Sequence, residues 1–324
     1  MKKVLQVAEP IINTFTSYGA LFSILPESAA PWLMNNFIQL NYVYIWKMVT
    51  FDSHRMLLSN CPSIDYYEVP RSILLSNHQE FKDIIMKAID RGEYLFFYVD
   101  RYYLSITEMY MREHYQHEIF LYGYDLDNNL VYVGDNFMQG KFSFQQCSLN
   151  ELIRGYMDIE IKYPFMSSIR FLTVHENEEC KLNIKQIIHG LDSYINSKEI
   201  FDIKVQLDML YGISIYDLFL KRIRDADLDI RFFHLLYEHK VLMEMRVGYL
   251  LKHKYLIDEK SFVKRAKNLK EKALIMRNMV LKYYISKSKK LLEIIYNKLL
   301  NMKKEDYLFC VELKKALENT ITRQ

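Results

Sequence analysis

The chain of 324 residues has 50% hydrophobic, 26% charged and 15% aromatic residues and a formal net charge of +3. This composition is typical of a folded protein and excludes disordered, collagenous and low-complexity chains. The length allows two domains with buried cores, and the four cysteines are too widely spaced for a zinc site or a disulfide scaffold, so a reducing cytoplasm is expected.

The first residues do not have the pattern of a targeting segment. Two lysines open the chain, but Glu9 and Pro10 interrupt the apolar stretch, and no small-residue cleavage site follows at the required distance. No uninterrupted run reaches the roughly 18 apolar residues of a spanning helix. We therefore expect a soluble cytoplasmic protein without a membrane span, in which residues 1–24 form an N-terminal extension.

The first half of the chain combines predicted helices with predicted strands. Apolar side chains at helical spacing predict helices over residues 32–46 and 79–91. Short apolar and aromatic runs over residues 93–100 and 117–124 predict buried strands. Because helices come first and strands follow, we expect an α+β domain over residues 25–165.

A hairpin is predicted after the second of these strands. Residues 125–129 are rich in turn formers and precede another apolar run, which indicates an antiparallel pair. His117 opens one strand and Asp135 closes the other, so their side chains are expected to lie close together. A carboxylate on one ring nitrogen fixes the histidine tautomer and leaves the other nitrogen free as a base. These two residues would be the histidine and the aspartate of a Cys-His-Asp catalytic triad.

The second half is predicted to be helical from residue 185 to residue 324. All six prolines lie at or before Pro164, and apolar residues recur at intervals of three and four. We expect at least four helices between residues 185 and 320. The adjacent polar residues Glu238, His239 and Lys240 are expected to pair with neighbouring helices and face solvent, because they point to different sides of a helix.

Charge divides the chain in the same region. Residues 251–324 hold 19 Lys+Arg and 8 Asp+Glu, and the remainder carries a net charge of −8. Such a basic amphipathic segment either packs against the acidic remainder or docks an acidic partner, namely a carrier protein, a nucleic acid or an anionic lipid. The basic residues with interleaved apolar neighbours are Lys264, Arg265, Lys267, Lys270, Lys272, Lys287, Lys289 and Lys290.

The run H-E-I-F-L-Y-G-Y-D-x(5)-V-Y-V-G-D over residues 117–135 resembles papain-like cysteine peptidases of the bacteriocin-processing type. More closely, it resembles the butirosin biosynthesis protein H N-terminal domain family, in which a strand ending in Asp and followed by aromatics precedes the His strand. Residues 98–104 have that pattern. The resemblance covers residues 25–165 and implies a papain-like fold. It also implies acyl transfer from an acyl carrier protein through a cysteine thioester.

The sequence departs from this family at the nucleophile. The family places its cysteine at the start of the first long helix, where the helix dipole lowers the thiol pKa. We assign that helix to residues 31–40, which contain no cysteine. Cys61 is the least implausible nucleophile, and Cys147 lies further from the expected place. The predicted catalytic set is His117, Asp135 and Cys61; alternatively, the first two are a structural pair in a domain that has lost its nucleophile.

The function expected from these features is accessory to nonribosomal peptide or related secondary-metabolite biosynthesis. The papain-like cleft would bind or transfer an acyl or peptidyl group from a carrier protein to an unknown acceptor, or bind it with Tyr102, Tyr103 and Tyr110 without catalysis. A nucleic-acid-associated helical protein ranks lower, because the chain has no recognition motif. No cofactor and no metal are expected, because nucleotide-binding loops and HExxH are missing from the sequence.

Overall fold

A computed structural model describes residues 1–51, 59–74, 78–176, 180–199, 208–258 and 260–323. The strands are β1 Lys2–Val4, β2 Leu40–Val43, β3 Met48–Phe51, β4 Ile64–Pro70, β5 Tyr94–Asp100, β6 Gln116–Asp125, β7 Leu130–Met138, β8 Lys141–Ser148, β9 Ser168–Val174 and β10 Met209–Tyr211. The helices are α1 Thr16–Ile24, α2 Ala30–Asn35, α3 Arg71–Leu74, α4 His78–Asp90, α5 Leu149–Met157, α6 Ile184–Asn196, α7 Ile215–Arg224, α8 Ile230–Lys252, α9 Phe262–Ser286 and α10 Lys289–Arg323. The mixture of antiparallel sheets with a helical C-terminal region is an α+β architecture.

The chain divides into two compact units, each built from two segments. Unit 1 contains Met1–Ala29 and Leu58–Glu179, and unit 2 contains Ala30–Leu57 and Cys180–Gln324. The division differs from the expected boundaries at residues 24 and 25, because β1 pairs with β6 and so brings the supposed N-terminal extension into unit 1. The segment from Ala30 to Leu57 belongs with the C-terminal helices, since β2 pairs with β10.

Unit 1 is organised around an antiparallel sheet. Its seven strands among the described residues have the order β4-β9-β5-β6-β7-β8, with β1 also paired to β6. Asp125 pairs with Leu130, which confirms the predicted hairpin, and the register shifts by one residue between Leu121 and Gly123. The strand predicted over residues 93–100 and the helix predicted over residues 79–91 are confirmed by β5 and α4. The inner residues of β5, β6 and β7 form one hydrophobic core with α4 and α5.

Helix α1 packs against β6 and β7 in unit 1. Gly19 allows this close approach, since a Cβ atom at this position would lie 2.3 Å from the ring of Phe142 on β8. A side chain of any size would push the helix away from the sheet or displace the ring. The fit therefore fixes the position of the first residue of α1, Thr16.

Unit 2 combines a small antiparallel sheet, with the order β10-β2-β3, and the helices α6 to α10. The expectation of at least four helices after residue 185 is confirmed. The helix predicted over residues 32–46 is wrong: α2 ends at Asn35, Phe37 has a left-handed backbone with φ of 58°, and β2 follows. All four residues of β2 are buried, so its sequence lacks the alternation that identifies a half-buried strand.

Helix α8 is hydrogen-bonded to the first segment of unit 2, at the end of α2. The buried guanidinium of Arg246 donates hydrogen bonds to the main-chain carbonyl groups of Met34 and Asn36.

Within the described part of the chain, no helix combines the length and the apolar character needed to cross a membrane.

Candidate functional site

His117 and Asp135 meet at the end of the unit 1 sheet where β6 begins and β7 ends. His117 Nδ1 lies 3.1 Å from Asp135 Oδ1. Because Phe120 pairs with Gly134, the two residues are offset by about two positions across the ladder. The imidazole spans this diagonal, so the structure brings together the two side chains that the hairpin pattern predicts to be neighbours.

The carboxylate of Asp135 is completely enclosed and has partners on both oxygens. Arg101 donates to Oδ2 from Nη2 at 2.5 Å and from Nε at 3.1 Å. Thr16 Oγ1 and the main-chain N–H of Asn136 each donate to Oδ1 at 2.6 Å. Burial by itself would raise the pKa of Asp135, but His117 and the Arg101 guanidinium outweigh it and hold that pKa below its ordinary value.

The contacts of His117 indicate which ring nitrogen carries the proton. Nδ1 lies 3.1 Å from Asp135 Oδ1 and 3.1 Å from the carbonyl oxygen of Glu118, and both oxygens are acceptors. Nη2 of Arg101 is 2.9 Å from Nδ1, but its two hydrogens already have acceptors in Asp135 Oδ2 and the Asn136 carbonyl. We therefore assign the proton to Nδ1, which leaves Nε2 as a base or acceptor.

The imidazole of His117 is the part of this cluster that reaches solvent. Its side chain is 28% exposed, whereas that of Asp135 is fully buried. The ring of Tyr115 stacks on it, with 5.7 Å between ring centroids. Tyr115 is itself anchored, because its carbonyl oxygen accepts a hydrogen bond from the main-chain N–H of Arg101 at 2.9 Å.

A loop of aromatic residues follows β5 and lies beside the cluster. Asp100 caps the turn at its start by accepting a hydrogen bond from the N–H of Tyr102 at 3.0 Å. Asp100 also binds His114 Nδ1 at 2.6 Å, and the His114 ring stacks on Tyr102 with 4.2 Å between centroids. Tyr103 packs edge-on against Tyr102, and Tyr110 is exposed. This loop supplies an aromatic surface, including the three tyrosines proposed from the sequence.

The structure does not bring Cys61 to His117. Cys61 is buried just before β4. The first residue of β4, Ile64, pairs with Val174 at the end of β9, and Leu172 of β9 pairs with Tyr94 at the start of β5. His117 pairs with Val99, five residues further along β5, which is about 17 Å on an extended strand. Cys61 therefore lies at the opposite end of the sheet, separated from β6 by two further strands.

Cys147 is equally unsuited to act as a nucleophile beside His117. It lies on β8 opposite Val131 and is part of the hydrophobic core. Burial raises the pKa of this thiol, which disfavours the reactive thiolate.

Two residues of the cluster were not identified from the sequence. Thr16 begins α1, the helix that starts beside the His-Asp pair, whereas the helix assigned from the sequence over residues 31–40 belongs to unit 2. Arg101 lies in the aromatic segment of residues 98–104, but no local pattern indicates its contact with Asp135. The sequence signal for Thr16 was the polar Asn-Thr-Phe-Thr-Ser run before the small and apolar residues of α1.

Unit 2 buries a second carboxylate, Asp306, in a different setting. Its Oδ2 accepts from Lys240 Nζ at 2.5 Å, from Tyr194 OH at 2.6 Å and from Tyr216 OH at 2.9 Å. His239 Nδ1 lies 2.8 Å from Lys240 Nζ. The expectation that residues 238–240 face solvent is wrong, because all three are buried.

Many cations of the basic segment are neutralised within unit 2. Lys270 pairs with Glu244, which lies on α8. Two further pairs join this segment to acidic residues outside it, Lys303–Asp217 and Lys314–Asp192. The pairs of Lys272 with Glu305 and of Arg265 and Lys260 with Glu312 lie within the segment itself. The pairs with Glu244, Asp217 and Asp192 show that part of the basic segment packs against acidic residues of the remainder, which is one of the two alternatives left open by the charge pattern.

The described residues contain no group of three or more His, Cys, Asp or Glu side chains placed to hold a metal ion. The cluster around Asp135 instead offers an enclosed carboxylate, a guanidinium, a hydroxyl and one partly exposed imidazole.

No protein-family model matches the chain, and no curated protein sequence matches it significantly.

Proposed function

We propose that unit 1 is a papain-like binding domain that holds an acyl or peptidyl group without forming a covalent intermediate. The protein would act as an accessory factor in nonribosomal peptide or related biosynthesis, and a carrier protein would present the group as a thioester. The observation that carries this proposal is Thr16, which begins the helix beside His117 and Asp135 where a nucleophilic cysteine would be required.

The hydroxyl of Thr16 is not arranged for nucleophilic attack. A threonine hydroxyl has one hydrogen, and two acceptors lie near it, Asp135 Oδ1 at 2.6 Å and the side-chain oxygen of Asn136 at 2.9 Å. We assign the hydrogen to the carboxylate, which is the stronger acceptor and the closer one. Covalent catalysis needs a hydrogen bond between the nucleophile and its base. Asp135 has a lowered pKa because of His117 and Arg101, so it is a weak base for this purpose.

The exposed side of the cluster has the chemistry of a recognition site. Nε2 of His117 can accept a hydrogen bond from an amide or amine N–H of the bound group. The stacked ring of Tyr115 and the exposed ring of Tyr110 offer apolar surface for an acyl chain. The buried Arg101–Asp135 pair holds the imidazole in place from behind.

The test uses acyl and aminoacyl thioesters of N-acetylcysteamine as small mimics of the carrier-bound group. Binding is followed by calorimetry or by ligand-observed NMR, and thioester cleavage by release of the free thiol. We expect binding that weakens in His117→Gln and Tyr115→Ala, with no thiol release above the buffer rate. Tyr67→Ala serves as the matched control, because Tyr67 is an exposed tyrosine on β4.

Two results would reject the proposal. Thiol release that disappears in Thr16→Val would show a hydroxyl nucleophile and therefore an enzyme. Failure of every thioester to bind, with His117→Gln and the unaltered protein indistinguishable, would leave the cluster without a role in acyl recognition.

A further inference from the structure

Two turns of unit 2 expose large apolar side chains. The first turn, residues 44–47, joins β2 to β3, and its Ile45 and Trp46 are 73% and 49% exposed. The second, residues 281–290, includes the end of α9 and the start of α10, and its Ile285 is 89% exposed. A single exposed apolar side chain is ordinary, and Ile73 of unit 1 is also 75% exposed, but several of them at one end of a unit mark an interaction surface.

The two turns flank a single short connection between α7 and α8. Tyr284 OH donates to the carbonyl oxygen of Leu228 at 2.8 Å and accepts from the N–H of Ile230 at 3.1 Å. The neighbouring Arg231 donates from Nη2 to the carbonyl oxygen of Lys47 at 3.4 Å. Residues 228 and 231 are at most about 11 Å apart along the chain, so both turns lie at the same end of unit 2.

Positive charge surrounds these apolar side chains. The two turns and the connection, residues 44–47, 225–231 and 281–290, carry six cationic and three acidic side chains, a net charge of +3. Two of the acids are paired locally, Asp227 with Arg222 and Asp229 with Arg231. The exposed lysines of the two turns are Lys47, Lys282, Lys287, Lys289 and Lys290.

We infer that this end of unit 2 docks on an anionic lipid surface, with Trp46 and Ile285 inserted at the level of the headgroups. Tryptophan and lysine beside aliphatic side chains are the composition of interfacial membrane anchors, and lysines add attraction to anionic lipids. The apolar side chains project from two turns rather than line a groove. A lipid surface therefore fits them better than an acidic carrier protein, which would need a concave or flat complementary face.

The two tryptophans of the chain provide a direct measurement. Trp32 is 6% exposed, so a change in fluorescence on binding to vesicles reports Trp46. The full chain is titrated with phosphatidylcholine vesicles and with vesicles that contain 30% phosphatidylglycerol, each with and without brominated acyl chains. We expect a shift of emission to shorter wavelength and quenching by brominated lipid with the anionic vesicles. Affinity should be at least tenfold lower for phosphatidylcholine alone.

Matched variants test whether binding to vesicles depends on this end of unit 2 or only on the total positive charge of the protein. Substitution of Lys287, Lys289 and Lys290 by Gln should weaken binding to anionic vesicles at least tenfold, and Ile285→Ser should abolish most of the quenching. The control replaces Lys264, Lys267 and Lys315 by Gln, with the same change in charge; the first two lie about 30 Å from the end of α9 along the helix. All six lysines are exposed, and circular dichroism checks that each variant is folded.

Three outcomes would overturn the inference. The first is no response of Trp46 to anionic vesicles. The second is an equal loss of binding in the two triple variants, which would indicate unspecific charge attraction. The third is a Trp46 response to a purified acidic acyl carrier protein but not to vesicles, which would make this end of unit 2 a protein-docking surface.

Discussion

Each unit contains a fully buried carboxylate in a cluster with a cation and a histidine, Asp135 in unit 1 and Asp306 in unit 2, but the two clusters differ in their access to solvent. In unit 1, Asp135 is enclosed while its partner His117 remains 28% exposed. In unit 2, Asp306, Lys240 and His239 are all buried, and two tyrosine hydroxyls complete the enclosure. A buried ion pair alone therefore does not identify a functional site, and the partly exposed imidazole of His117 is what distinguishes unit 1.

The largest expected effect is in the closed cluster. Lys240→Met leaves Asp306 charged in the interior with two tyrosine hydroxyls but no cation beside it, which should lower the free energy of unfolding of unit 2 by about 3–5 kcal/mol. Denaturant unfolding followed by tryptophan fluorescence measures this, because Trp32 and Trp46 both belong to unit 2. The double variant Lys240→Met, Asp306→Leu should recover most of the loss. A single-variant cost below 1 kcal/mol would mean that Asp306 accepts a proton or water at little cost.

The open cluster should respond less strongly to the corresponding change. Arg101→Met removes two hydrogen bonds from Asp135 but leaves those from His117, Thr16 and the Asn136 N–H. Because the cluster also reaches solvent through His117, we expect a smaller loss of about 1–3 kcal/mol. Hydrogen exchange of β6 and β7 amides would report it within unit 1. Arg91→Met, which removes an exposed pair with Glu93, is the control and should cost under about 1 kcal/mol. A larger loss for Arg101 than for Lys240 would reverse the comparison.

Acid should affect unit 2 through His239. Burial and the charge of Lys240 hold the pKa of His239 well below its ordinary value of 6.5, so the folded form stays neutral while the unfolded chain binds a proton. Stability is therefore highest above pH 6.5 and falls as the pH decreases, by up to about 1.4 kcal/mol per pH unit. Tryptophan-detected unfolding between pH 8 and pH 5 should show this slope.

A histidine variant tests the source of that slope. His239→Gln should flatten the dependence on pH, whereas His253→Gln, at an exposed position, should leave it unchanged. If the slope persists in His239→Gln, another group titrates in this range.

The smallest expected change in stability comes from restoring a thiol to the open cluster. Thr16→Cys loses the hydroxyl bond to Asp135 and should cost about 1 kcal/mol. If the His117 cluster can activate a nucleophile, the new cysteine should react with iodoacetamide with an apparent pKa below the usual value of about 8.5, and Ser17→Cys should not. Equal, slow labelling of both variants would show that the cluster does not activate a thiol at this helix start.

The sequence predicted the elements of the site that depend on local chemistry. The turn at residues 125–129 specifies the hairpin, and the hairpin brings His117 close to Asp135. The other partners of Asp135 were not predictable in this way, because Arg101 is 34 residues distant and Thr16 is 119 residues distant along the chain. Those contacts depend on how α1 and β5 pack, and no periodicity in a single sequence encodes that packing.

The false helix over residues 32–46 has a related cause. A strand buried on both faces has no alternation of polar and apolar residues, so periodicity does not separate it from a short buried helix. The pairing of β2 with β10 involves residues more than 160 positions apart, and this long-range contact stabilises the extended conformation.

The interrupted path of the chain has a consequence for synthesis on the ribosome. Residues 30–57 emerge well before the strand that covers the open edge of β2, which begins at Met209. At about 5–20 residues per second, the intervening 150 or so residues take roughly 10–30 s to translate. During this interval the unpaired edge of β2, with its apolar Leu40, Tyr42 and Val43, and the exposed Trp46 turn are available to other chains. Nascent protein should therefore depend on chaperones more than its helical content suggests.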